Sequence, residues 1–453
     1  MPLDRPLIRY PARVPLHREP MGIVASAVTA RRNVLELIPE IATRQPMVSG
    51  KTGKRWHMVM DPEALCQVLK DRVADYPKSL VTRLILEPAI GSSMFVAEGA
   101  HWRWQRLAAA PAFAQRHVEA LAPVMTAAAE ASVRRLAASG AVVDVFAETV
   151  AATFEVISDV TFSGDEGFDR DAVHQAIDAY IAGTARISVL DILGLPGWIP
   201  RPGRLFSGGD LRRMKRVADE AISARARSGP RPIPDLLDLL RAGEDPETHR
   251  RMTPAELRDN LLTFIVAGHE TTALTLAWAL YLLAFDPQVQ DRAAIEAGSI
   301  LGDRAATVAD LPHLTYIRQV VEEALRLYPP AAFLSRTARI HDTLGGREVR
   351  PGDTIMLPIY ALHRHHMLWE DPDRFDPDRF APGAVRDRFA FLPFGAGPRI
   401  CIGASFAMQE AIIILATLVA RFRFELTARQ PQPRMILTLR PQGGVWLKVT
   451  ERS

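Results

Sequence analysis

A mainly α-helical fold with a small β region is what this sequence predicts, and three observations carry it. Alanine-rich stretches from Arg103 to Ala138 and from Val145 to Phe162 read as helix. A third stretch, Thr253 to Phe285, opens with Thr253-Pro254-Ala255-Glu256, which supplies a cap, a proline at the first helical position and a glutamate at the third. Asp286-Pro287 ends it, leaving about 30 residues, or ~45 Å at 1.5 Å per residue, enough to cross a whole domain. Strand signals are few. Thr354 to Leu357 follows the Pro351-Gly352-Asp353 turn, and Met435 to Leu439 precedes Pro441-Gln442-Gly443-Gly444.

Bulk properties exclude several classes. A chain of 453 residues with 48% hydrophobic and 24% charged positions buries a large core rather than staying disordered. Lys+Arg at 55 against Asp+Glu at 52 is too balanced for a nucleic-acid-binding protein. Cys66 and Cys401 lie too far apart to build the framework of a small secreted domain, so a reducing, cytoplasmic setting is expected. The segment 1–20 is broken by proline and arginine, and Met21 to Ala30 is too short an apolar run for an anchor. The apolar run Ala273 to Phe285 also falls short of a span and reads as a buried core helix. Two loops rich in glycine and proline, Gly194 to Gly209 and Gly229 to Asp235, suit either a linker or a mobile lid, the latter around residues 176–229.

The most informative stretch is Phe394-Gly395-Ala396-Gly397-Pro398-Arg399-Ile400-Cys401-Ile402-Gly403. It delivers one cysteine to the start of an apolar helix, Ser405 to Phe422, where free N–H groups and the helix dipole favour thiolate, a good metal ligand. Glycines at 395, 397 and 403 would let backbone approach something flat, and Arg399 offers a fixed cation. A buried core cysteine in a glycine turn is the bland alternative. With phenylalanine seven residues before the cysteine and arginine two before it, the whole run resembles the haem-binding loop of the cytochrome P450 superfamily.

The resemblance extends along the chain and implies further assignments. Glu323 and Arg326, three apart on one helix face, resemble the family's ExxR pair, which Arg379 in Pro377-Asp378-Arg379-Phe380 would close as a structural third member. Ala267-Gly268-His269-Glu270-Thr271-Thr272, midway along the long helix, is similar to the family's acid-alcohol pair, with Glu270 and Thr271 in those places. Without the resemblance, these threonines would be read as bonding back to helix carbonyls. Gly268, costly inside a helix, would mark a close approach. Trp102 and Arg106 resemble the WxxxR element, and with Arg336 and Arg399 they would hold the haem carboxylates. Phe95, Ile265, Val266, Ala267, Ala332 and Phe333 would line the substrate pocket, together with the turn after Leu439. His363, His365 and His366 lack a partner at zinc spacing and are read as structure.

What the resemblance implies is one domain over residues 1–453: a triangular helical prism with haem b held between the long central helix and the Cys-loop helix. Cys401 would be the axial ligand. The activity would be a monooxygenase reaction inserting one atom of dioxygen into a lipophilic substrate, a fatty acid in preference to a terpenoid or similar compound, since the pattern looks closest to fatty-acid hydroxylases. About 50 residues after the loop are too few for a reductase domain, so electrons would come from a ferredoxin or flavodoxin with its NAD(P)H reductase. Arg103, Arg116, Arg386 and Arg388 are candidates for that partner's footprint. A peroxide-dependent peroxygenase and a non-catalytic haem sensor are the alternatives, and Glu270 with Thr271 weighs against both.

Overall fold

The computed structural model describes residues 10–162 and 208–452. Helices α1 (Ile23–Arg32), α2 (Pro62–Cys66), α3 (Leu80–Ile90), α4 (Gly99–Ala109), α5 (Gln115–Ala120), α6 (Ala122–Ala138) and α7 (Val145–Phe162) form the first half. After residue 207 come α8 (Gly208–Ser228), α9 (Leu236–Ala242), α10 (Pro254–Phe285), α11 (Pro287–Leu301), α12 (Thr315–Leu327), α13 (Ile359–Leu362) and α14 (Ala404–Arg421). The loop from Gly194 as far as residue 207, and most of the lid expected around 176–229, lie outside the described residues; the remainder of that lid is α8, which ends at Ser228, and Gly229.

The long central helix forms for the reasons its ends advertise. Thr253 Oγ1 accepts from Glu256 N while Glu256 Oε2 accepts from Thr253 N, closing the capping box. At the other end Asp286 stops α10 and caps α11, accepting from Gln288 N and Val289 N. The 32 residues of α10 are buried along most of their length against α7, α12 and α14. Helix α14 is long and apolar enough to cross a membrane by composition, yet two thirds of it is buried inside the protein. Its burial against α6, α11 and α12 makes it a core helix.

The stretch from Arg103 to Ala138 is not one helix. Pro111 and Pro123 withhold N–H donors, and the chain divides into α4, a 3-10 turn at Ala110–Phe113, α5 and α6. Strands are more numerous than the sequence suggested. β1 (Met47–Thr52), β2 (Lys54–Val59), β7 (Thr354–Leu357) and β4 (Leu334–Thr337) make one sheet in the order β1-β2-β7-β4, with β2 and β7 parallel. β3 (Val142–Asp144), β11 (Trp446–Glu451) and β8 (Phe422–Leu426) make a second, while β5 (Asp342–Leu344) and β6 (Arg347–Val349) form a hairpin. The segment 435–439 is not a strand but the turn of a hairpin, β9 (Gln432–Met435) with β10 (Leu439–Gln442). Most of these strands run three to six residues without clean alternation, so the period-2 signal was absent.

Candidate active site

A cavity of about 1260 Å³ lies between α10 and the 394–403 loop, walled mainly by apolar side chains. Phe394, Gly395, Cys401 and Gly403 line it on the loop side. The loop is closed by Cys401 N–H donating to the Phe394 carbonyl at 2.9 Å. Gly397, at φ 69°, sits where a Cβ would lie 2.0 Å from the Leu69 carbonyl oxygen, so its close neighbour is protein. At Gly395 and Gly403 a Cβ would meet nothing within 4 Å. Cys401 is open to the cavity yet screened from bulk solvent by the protein around it. Burial pushes its thiol up, and the Gly403 N–H and Arg106 offset this only in part. The expected thiolate-favouring helix end is therefore outweighed by desolvation.

Across the cavity α10 presents Val266, Ala267, Gly268, Glu270, Thr271 and Thr272. Ile265 is not among them: it is turned into the core, its carbonyl lying 2.9 Å from His269 Nδ1. Gly268 answers packing rather than a ligand, since a Cβ there would lie 3.1 Å from Ile157 Cδ1 on α7. Thr271 Oγ1 donates to the Ala267 carbonyl at 2.8 Å, the helix back-bond. Glu270 is buried and turned toward the β9-β10 hairpin, where Oε1 accepts from Thr438 Oγ1 and Arg440 Nε, each at 2.5 Å.

Four cations gather at one edge of this cavity. Arg106 and Trp102 come from α4, Arg336 from β4, Arg399 from the loop and Lys78 from the segment before α3. The Arg399 guanidinium lies 5.4 Å from the Trp102 ring centre and forms an ion pair with Glu98. Arg336 is buried, and desolvation together with Arg399 holds it down to about 10. Nε of both Arg336 and Arg399 is buried without a hydrogen-bond partner. Phe95 and Phe333 line the cavity, whereas Ala332 is fully buried with its carbonyl accepting from Tyr360 N–H. The hairpin contributes Met435 to Thr438, before Leu439 rather than after it.

Away from the cavity, Glu323 and Arg326 form a fully buried bidentate pair at 2.6 and 2.7 Å. Arg379 approaches Glu323 at 3.6 Å and is held by the Asp371 carbonyl. His363 joins this cluster to the loop, Nδ1 lying 3.2 Å from the Arg326 carbonyl and Nε2 accepting from Leu392 N–H at 2.9 Å. Burial lowers His363 to about 3, so it is neutral. His365 turns to the Gln45 carbonyl, and no metal-binding group of three such side chains exists among the described residues. Arg103 pairs with Glu247 and Arg386 lies over Phe380, and all four arginines of the expected footprint are exposed.

Sequence reasoning missed four residues. Lys78 and Glu98 carry no local signal. His363 was set aside with its neighbours. Glu410 was legible in principle, because a lone acid inside the apolar α14 is the same anomaly that singled out Glu270.

The group the cavity would take must be large, mostly apolar and anionic at one edge, and able to offer a metal to a sulfur. Haem meets each demand, and the two orphaned guanidinium nitrogens suit its carboxylates. The comparisons agree. The family model described as Cytochrome P450 matches residues 28–449. The chain is 32% identical to cyclooctatin synthase of Streptomyces melanosporofaciens, covering 93% of each. It is 33% identical to cyclooctat-9-en-7-ol 5-monooxygenase of the same organism, covering 86% of this chain and 85% of that one. Among solved structures, the cytochrome P450DA haem domain superposes with a TM-score of 0.80 at 28% identity, covering 90% of both chains. A cysteine-floored apolar cavity, a cation-lined edge and similarity over nearly the whole length lead to one assignment: the chain belongs to the cytochrome P450 family of haem-thiolate monooxygenases.

Proposed function

We propose that Cys401 is the axial ligand of haem b and that this enzyme oxygenates a lipophilic terpenoid with electrons from a separate ferredoxin or flavodoxin and its NAD(P)H reductase. The observation that carries the reading is that Cys401 and Thr271 line one and the same apolar cavity. Arg106, Arg336 and Arg399 would hold the haem carboxylates, with Trp102 fixing Arg399. When bound, the haem supplies reductive activation of dioxygen. The terpenoid class is supported by the two Streptomyces relatives, whose names are those of cyclooctatin biosynthesis.

The chain's own residues manage water and protons. Apolar walls exclude bulk water, so protons must come from fixed groups. Thr271 hydroxyl faces the cavity, and rotating off the Ala267 carbonyl lets it donate there. Glu270, held by Thr438 and Arg440, stands behind it; the Arg440 side chain is 23% exposed and marks the side from which protons arrive.

The test is spectroscopic first. Reduced wild-type protein under carbon monoxide should show the strongly red-shifted Soret band of thiolate ligation, and Cys401→His should lose it. A normal histidine-type band in wild type refutes the ligand assignment. Soret titration with a cyclic diterpene alcohol and a long-chain fatty acid then reads the class: a shift with the fatty acid alone overturns the terpenoid assignment. In Thr271→Ala, product formed per NAD(P)H should fall and hydrogen peroxide should rise. Unchanged coupling would reduce Thr271 to a helix residue.

A further inference from the structure

We propose that Lys78 is a positioning residue that fixes Phe95 over the cavity, its ammonium clamping the Met94–Ala97 turn to the cation cluster. Lys78 Nζ donates to three carbonyls of that turn, Met94 at 3.2 Å, Phe95 at 2.5 Å and Ala97 at 3.2 Å. An ammonium has three N–H bonds, so all are used. Its own backbone is tied into the cluster, bridging to Arg336 and donating N–H to Glu98, the partner of Arg399. One residue thus joins the cation edge of the cavity to the turn whose Met94 and Phe95 side chains line it.

The rest of this turn is held from other directions. Ser92 N–H donates to Asp259, Met94 N–H donates to Asn260 Oδ1, and Gln105 Nε2 donates to the Ser92 carbonyl. Those anchors grip residues 92–94 and the Ser93 carbonyl accepts from Val96 and Ala97 N–H, whereas the carbonyls of Phe95 and Ala97 rest on Lys78. Phe95 is 44% exposed and has little packing to hold it in place.

The clamp is also sensitive to what the cluster binds. Desolvation and the charges of Arg399, Arg336 and Arg83 lower Lys78 to about 7, with Glu98 opposing. A neutral amine keeps two N–H bonds and must release one carbonyl. Carboxylates placed against Arg336 and Arg399 restore the charge and the third bond, so cofactor and pocket mouth become coupled. This coupling rests on the haem reading above. The clamp itself does not.

Amide hydrogen exchange of residues 92–97 in the holoenzyme tests the clamp directly, because it reads the peptide whatever occupies the cluster. Lys78→Met should exchange about tenfold faster there, and Lys78→Gln, with two donors left, should fall between. Bulky clotrimazole should bind Lys78→Met about fivefold more weakly by Soret shift, the equivalent of one lost hydrogen bond, while imidazole affinity stays unchanged. Phe95→Ala should weaken clotrimazole similarly, and the double variant should add little. Wild-type exchange rates with unchanged clotrimazole binding in both Lys78 variants would overturn the proposal. Equal weakening of both azoles accompanied by haem loss would do so too, by making Lys78 a cofactor cation only. If Lys78→Met does not fold, Lys78→Gln carries the same readings.

Discussion

Every N–H of Arg326 has an acceptor; Arg336 and Arg399 each keep an unpartnered Nε. Arg326 has five N–H bonds and spends them on two Glu323 oxygens and the carbonyls of His363, Pro372 and Arg374. Glu323 accepts in addition from Asp376 N–H, so charge and hydrogen bonding close within the protein. The cavity cluster is built the other way. Arg336 gives one bond to the Ser335 carbonyl, its Nε and that of Arg399 are orphaned, and one carboxylate, Glu98, stands among Lys78, Arg336 and Arg399. A buried cluster saturated around its central guanidinium holds a fold together, whereas an unsaturated one with cations in excess suits an anionic ligand.

The largest expected effect follows from breaking the saturated cluster. Arg326→Met strands a buried carboxylate and frees three backbone carbonyls, which should cost roughly 3–5 kcal/mol and leave little soluble protein. Arg379→Met should cost far less, about 1 kcal/mol, because its 3.6 Å approach to Glu323 is too long for a hydrogen bond. Soluble yield and melting temperature measure both. Equal losses for the two would show that Arg379 shares the burden and that the geometry misleads.

Breaking the unsaturated cluster should give the opposite signature. Arg399→Met and Arg336→Met should release haem about tenfold faster, by transfer to an acceptor protein, since each removes a charge-assisted bond. The cofactor-free melting temperature of Arg336→Met should hold or rise, because burial and Arg399 already hold that guanidinium below its usual range. Melting that falls as far as in Arg326→Met would erase the distinction between the two clusters.

How much of this was legible follows the same division. The capping box of α10, the ExxR spacing and the Cys401 loop are local patterns, and each forms as its residues prescribe. Ile265 and Ala332 were misplaced because neighbours on a helix or an extended segment face different ways, and helical phase is not fixed by proximity to a motif. Lys78 and Glu98 were invisible because they come near Arg399 across 321 and 301 positions of chain, through long-range packing that no local pattern announces. The strand assigned to 435–439 failed for a related reason: the hairpin turn between β9 and β10 contains no glycine or proline to mark it.

Glu410 fits neither pattern and sharpens the comparison with the smallest of these effects. It is buried on α14 with both carboxyl oxygens lacking a hydrogen-bond partner by geometry, and no cation among the described residues shifts its titration. Burial pushes it from 4.5 up to about 8, with the Thr272 hydroxyl only partly opposing, so it is protonated at neutral pH. A raised pKa in the folded state means that the stability contributed by this proton is complete below about 4.5 and is lost as pH climbs toward about 8. Glu410→Gln keeps the shape and cannot titrate. Wild type and variant should therefore melt at similar temperatures at pH 5.5, and wild type should fall behind by roughly 1 kcal/mol at pH 7.5, relaxation around the site limiting the loss. Differential scanning calorimetry of the holoenzymes at the two pH values measures this. Parallel curves would mean that Glu410 holds a proton no more tightly in the folded chain than in the unfolded one, and that an unseen partner already satisfies it.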